Sequence, residues 1–102
     1  MIELKTKKES DVITFYLEGK LNSEVATDVK KQIQDIENEY NEIILDFKNL
    51  LYVSSAGLRV ILEVHKEMKA NNKKLTIINV DQGNMEILVA TGLSKFLNIR
   101  ND

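Results

Sequence analysis

Ile43-Ile44-Leu45-Asp46-Phe47-Lys48-Asn49-Leu50-Leu51-Tyr52-Val53-Ser54-Ser55-Ala56-Gly57-Leu58-Arg59-Val60-Ile61-Leu62 carries the chain from an apolar strand through a loop into a helix, with two hydroxyls at the join. Residues 43–47 form a short apolar run of the kind a central strand supplies when both faces are covered. Over residues 55–69 the period becomes helical. At 3.6 residues per turn, Leu58, Ile61, Leu62, His65 and Met68 cluster on one side, and Val60 and Val64 widen that side into a broad apolar arc. Arg59, Glu63, Lys66 and Glu67 hold the polar remainder. A serine at the helix start can cap free backbone N–H groups, and a phosphate added there would meet those groups and the positive end of the helix dipole. The hydroxyl pair therefore reads either as a structural cap or as a phosphorylatable one.

The flanking sequence alternates in the same way. Val12-Ile13-Thr14-Phe15-Tyr16-Leu17 is β-branched and aromatic and ends at Glu18-Gly19, a strand that pairs with a weaker one over residues 2–6 across a turn at Glu9-Ser10-Asp11. Beyond Gly19, Val25, Val29, Ile33, Ile36 and Tyr40 fall on one stripe of a helix that Asn22 or Ser23 caps. Lys74-Leu75-Thr76-Ile77-Ile78-Asn79-Val80 is a further strand. Asp81 or Gln82 opens a third helix through Met85, Leu88 and Val89, which stops at Gly92 with Leu93 behind it. Residues 96–100 supply a last edge strand. This order predicts an α/β fold with a central sheet of four to five strands, helices packed against it and right-handed crossovers between parallel neighbours. No proline, repeat or linker divides the 102 residues, so a single domain is expected over residues 1–102.

Composition narrows the function. The chain has no cysteine, which removes disulfides, thiolate metal sites and cysteine nucleophiles, and its single histidine removes a multi-histidine metal centre. Fourteen basic against sixteen acidic residues, net −2 and mixed along the chain, give no electrostatic footprint for nucleic acid or an anionic membrane. The start Met1-Ile2-Glu3-Leu4-Lys5 lacks the apolar core of a signal peptide, and no apolar run approaches a membrane span, so a cytoplasmic protein is expected. His65 falls inside the apolar arc and reads as a core-edge histidine with a satisfied nitrogen. Ser55, His65 and Asp46 can be drawn as a triad, but Ser55 and His65 lie ten residues apart on one helix, roughly 15 Å at 1.5 Å per residue. That is too far for proton transfer. Residues 54–59 also lack the glycines and lysine of a phosphate loop. No enzymatic activity, cofactor or metal is expected.

Gly19-Lys20-Leu21-Asn22 after a strand, Ile44-Leu45-Asp46-Phe47 leading into Ser54-Ser55-Ala56-Gly57-Leu58-Arg59, and the late Thr91-Gly92-Leu93 together make the chain similar to a STAS domain of the anti-sigma-factor antagonist type, over nearly its whole length. The resemblance implies the STAS fold and a switch protein rather than an enzyme. In its unphosphorylated form such a protein binds an anti-sigma factor that is also a serine kinase and so releases the sigma factor; phosphorylation ends the binding and a PP2C-type phosphatase restores it. The acceptor it implies is Ser55, two residues before Gly57-Leu58, with Ser54 as the secondary candidate. The docking patch expected from the two motifs comprises Lys20, Asn22, Ser23, Ser54, Ser55, Gly57, Leu58, Arg59 and Leu62. The chain departs from the common pattern where Ser54 and Asn22 replace carboxylates, which leaves less negative charge near Ser55, and where Arg59 replaces a glycine. Many relatives also continue into a C-terminal helix, whereas this sequence ends at Asp102. The alternative reading is a STAS-domain regulatory subunit of an ABC-type lipid transporter or of a signalling complex, using the same surface without phosphorylation.

Overall fold

Alternation along the strands decides which way the sheet faces. In the computed structural model, which describes residues 4–101, the chain forms β1 (Lys5–Glu9), β2 (Val12–Leu21), α1 (Ser23–Gln34), β3 (Glu42–Val53), α2 (Ser55–Ala70), β4 (Lys74–Ile78), α3 (Gln82–Ala90) and β5 (Asn98–Arg100). The five strands lie in the order β1-β2-β3-β4-β5, with β1 antiparallel to β2 and every other pair parallel. One row crosses the whole sheet as Thr6, Phe15, Leu45, Ile77 and Ile99. Phe15, Leu45 and Ile77 are buried, as are Ile13, Leu17, Ile43, Phe47 and Leu75 on the same face. Right-handed crossovers that always advance the same way along a sheet lay their helices on the same face. Val29 and Ile33 of α1, Ile61, Val64 and Met68 of α2 and Leu88 of α3 join those strand residues in one core.

The opposite face is only partly covered, so the expectation that both faces of the central strand are shielded does not hold. Thr14, Tyr16, Ile44 and Ile78 are half-buried there. Thr76 on that face is fully buried, with its hydroxyl satisfied: it donates to Glu42 at 2.6 Å and accepts from Asn98 Nδ2 at 2.9 Å.

Several boundaries differ from the sequence pattern. The first strand is Lys5–Glu9 rather than residues 2–6; positions 2 and 3 lie outside the described residues. Helix α1 ends at Gln34 instead of reaching Tyr40, and a short 3-10 turn, Glu37–Glu39, follows. Lys73 Nζ donates to the carbonyls of Glu37 and Asn38 and holds that turn, while Ile36 and Tyr40 still pack against the core. β4 stops at Ile78, one residue before Asn79 takes a positive φ of 58°, and Val80 enters the core from the loop. The last strand begins at Asn98, leaving Phe96 exposed.

The larger difference concerns the strands leading to the hydroxyl pair. β2 continues through Gly19, at φ 73°, to Leu21, and β3 runs without a loop to Val53. Between the pairs Tyr16↔Asp46 and Leu21↔Val53, β3 places six residues where β2 places four, so it carries two bulges. Asp46, buried, braces the first: its Oδ1 accepts from the Lys48 amide at 2.9 Å and from Asn79 Nδ2 at 3.1 Å.

Candidate functional site

Because β2 and β3 are parallel neighbours, their ends lie side by side, with Lys20 beside Tyr52 and Leu21 beside Val53. Each chain then turns into a helix. Asn22 caps α1, its Oδ1 accepting from the amides of Glu24 at 3.0 Å and Val25 at 3.3 Å. Ser54 caps α2, its Oγ accepting from the Gly57 amide at 3.2 Å, and its own amide donates to the Leu21 carbonyl at 2.9 Å. Two helix starts are thus locked into one corner. The two serines divide the roles that the sequence left open: Ser54 is half-buried and committed to the cap, while Ser55 is the first residue of α2 and exposed.

Of the residues expected in the docking patch, Lys20, Ser23, Ser55 and Arg59 are exposed, and Asn22, Ser54 and Leu62 are half-buried. Gly57 and Leu58 are buried among the chain's own atoms, Leu58 at 8 % exposure. Gly57 allows close approach within the fold, since a Cβ there would stand 2.7 Å from the Leu21 carbonyl oxygen and 2.8 Å from Val53 Cγ2. The α2 contribution to an accessible surface therefore comes from its polar edge.

Sequence reasoning missed two neighbours of this corner. Leu51, at the second bulge, is 71 % exposed, and Tyr52 beside Lys20 is 39 % exposed. The signal was the four consecutive apolar residues 50–53, which a strand with alternating faces cannot bury together. It also missed the groove of about 230 Å³ between α1 and α2, lined by Ser23, Thr27 and Lys30 on one side and Ala56, Arg59 and Glu63 on the other. Lys30 and Glu63 close it with an ion pair at 2.5 Å. The pair's hydrogen bond and mutual attraction raise the Lys30 pKa, and the same hydrogen bond lowers that of Glu63.

His65 is half-buried, as its place in the apolar arc implied, but its Nδ1 is buried without a hydrogen-bond partner, so the expected satisfied nitrogen is corrected. Desolvation first, and Lys69 one turn on second, push its pKa below the usual imidazole value. Ser55 and His65 remain on one continuous helix, and Asp46 is occupied at the bulge, so the structure does not assemble the drawn triad. At the far end of α2, Gln34 Nε2 donates to both oxygens of Glu67 at 3.0 Å. Glu37 beside it is pushed above the usual carboxyl range, by burial first and by Glu67 second. Among the described residues no three His, Cys, Asp or Glu side chains gather as metal ligands, and no helix is long and apolar enough to cross a membrane.

The STAS domain matches residues 3–102. The anti-sigma-B factor antagonist of Listeria monocytogenes is 23% identical over 101 residues, 98% of this chain and 88% of that protein. A crystal structure of a Thermotoga maritima protein superposes with a TM-score of 0.90 at 24% identity, covering 97% of this chain and 86% of that one. The Bacillus cell fate determinant SpoIIAA in its phosphorylated form gives a TM-score of 0.78 at 16% identity, over 98% and 91% of the respective chains. These superpositions show a shared mixed-sheet fold.

Proposed function

The chain belongs to the STAS domain family, and on that premise we propose that it is an anti-sigma-factor antagonist switched by phosphorylation at Ser55. Its unphosphorylated form binds an anti-sigma factor serine kinase in the cytoplasm, at the corner where α1 and α2 begin. A PP2C-type phosphatase resets it. The observation that carries this reading is the division of labour between the serines: Ser54 Oγ is used by the Gly57 amide, while Ser55 is exposed on the first turn. The name of the Listeria relative and the phosphorylated form of SpoIIAA support it.

The physics of such a switch is asymmetric. Phosphate on Ser55 adds about two negative charges, which meet free N–H groups and the positive dipole end, an interaction of roughly 0.3–2 kcal/mol in favour of the modified chain. The fold survives. A partner pressed on the corner would instead have to desolvate a dianion, and an uncompensated buried charge costs several kcal/mol. About 3 kcal/mol already lowers affinity more than a hundredfold.

Co-purification from native cells identifies the partner, and incubation of the chain with that kinase and ATP, followed by mass spectrometry, tests the switch. The expected result is phosphate on Ser55, none on Ser55→Ala, retained phosphorylation of Ser54→Ala, and loss of binding by Ser55→Asp. Phosphate on Ser54 overturns the site. Recovery of transporter subunits in place of a kinase, with neither serine modified, moves the chain to the regulatory-subunit class.

A further inference from the structure

Arg59 and the groove beside it have a property that partner docking does not account for. The groove between α1 and α2 holds two cations, Lys30 and Arg59, and one carboxylate, Glu63. Glu63 is committed to Lys30 at 2.5 Å. Arg59 attracts Glu63 more weakly than Lys30 does, and among the described residues it forms no salt bridge. One guanidinium is therefore in excess, exposed, and flanked across the groove by the hydroxyl-bearing Ser23 and Thr27. Ser55 stands four residues before Arg59 on the same helix. Residues at that spacing are neighbours on a helix surface, with Cβ atoms about 5–6 Å apart.

We propose that Arg59 is the intramolecular receptor for a phosphate on Ser55, binding it across the first turn of α2. The inference rests on Ser55 being the acceptor. A guanidinium offers paired N–H donors whose fork matches two phosphate oxygens, which an ammonium cannot reproduce. Lys30 stays with Glu63, so the ion pair that joins α1 to α2 is not broken when the phosphate arrives. Phosphorylation then changes the corner twice: it adds a dianion at Ser55 and withdraws the one unpaired cation of the groove from any acidic group on a partner. Arg59 is a positioning residue for the modified state, not a participant in phosphate transfer.

The test needs no kinase. Phosphoserine is incorporated directly at position 55 of the full chain, and its second ionisation is followed by 31P NMR. The phosphate should titrate below the free value of about 6, and Arg59→Gln should move it back up by roughly half a unit or more. Arg59→Lys should recover only part of the lowering, and removing the neighbouring ion pair as a whole, with Lys30→Gln and Glu63→Gln together, should leave it nearly unchanged. The helix start is the same in all these proteins, so a difference between them reports the side chain rather than the backbone amides. Equal values in the parent and Arg59→Gln overturn the proposal, as does an equal effect from the variant that lacks both Lys30 and Glu63. If a competent kinase leaves Ser55 unmodified while the incorporated phosphate still responds to Arg59, the phosphorylation reading fails and the pairing stands.

Discussion

The carbonyl oxygen of Leu21 accepts from the Ser54 amide at 2.9 Å and lies 2.7 Å from where a Cβ on Gly57 would stand. The end of β2 thus anchors the turn and fills the space above the first turn of α2. Gly57→Ala would gain up to about 1 kcal/mol of helix propensity, but the neighbour it meets is backbone, which cannot swing aside. Overpacking of that kind costs about 1–3 kcal/mol. Urea unfolding should show a net loss of up to about 2 kcal/mol after that gain is subtracted, with a shift in midpoint and no change in slope.

Ser54 and Ser55 should separate cleanly in stability. Ser54→Ala removes the acceptor for the Gly57 amide and should cost about 1 kcal/mol, whereas Ser54→Asp keeps a capping oxygen and should stay within a few tenths of the parent. Ser55→Ala should be neutral because its side chain is exposed. Thermal unfolding of the three variants measures the contrast.

His65 makes the fold sensitive to acid. Its folded pKa is lowered by burial and by Lys69, so the unfolded chain takes up the proton first, near pH 6.5. Its contribution to stability is present above that value and is lost as pH falls through it toward the folded pKa. His65→Phe should flatten the decline between pH 7 and pH 5, read as unfolding midpoints at the two pH values.

Glu37 acts in the opposite direction. Burial and Glu67 raise its folded pKa, so the folded chain holds the proton more tightly and stability falls as pH rises from the unfolded value near 4.3. At neutral pH the buried Oε2 has no partner. Glu37→Gln should therefore raise the melting temperature at pH 7, with the advantage shrinking toward pH 4. An equal gain at both pH values would assign the effect to packing.

Much of the fold was legible because its signals are local. The stripe Val25, Val29, Ile33 marks α1 whatever its surroundings, and the αL glycine at Gly92 ends the segment after α3. Asn22 and Asp81, short polar side chains before helical runs, cap as their chemistry predicts. The end of α1 was not legible: Ile36 and Tyr40 continue the apolar spacing, yet Lys73, far along the chain, holds the carbonyls of Glu37 and Asn38 in a tighter turn.

The corner shows the same division more sharply. That two hydroxyls stand between an apolar run and an amphipathic helix is legible along the chain alone, because composition and periodicity are properties of sequence neighbours. Which serine faces solvent follows only from strand pairing. Pairing of β2 with β3 brings Leu21 to Ser54 and Gly57, turning Ser54 inward as a cap, sealing Gly57 and Leu58 within the fold, and leaving Ser55 and Arg59 in solvent. Those outcomes depend on the two extra residues that β3 carries against β2. A bulge arises from registry between strands, so residues about thirty positions apart had to meet before the site had a shape.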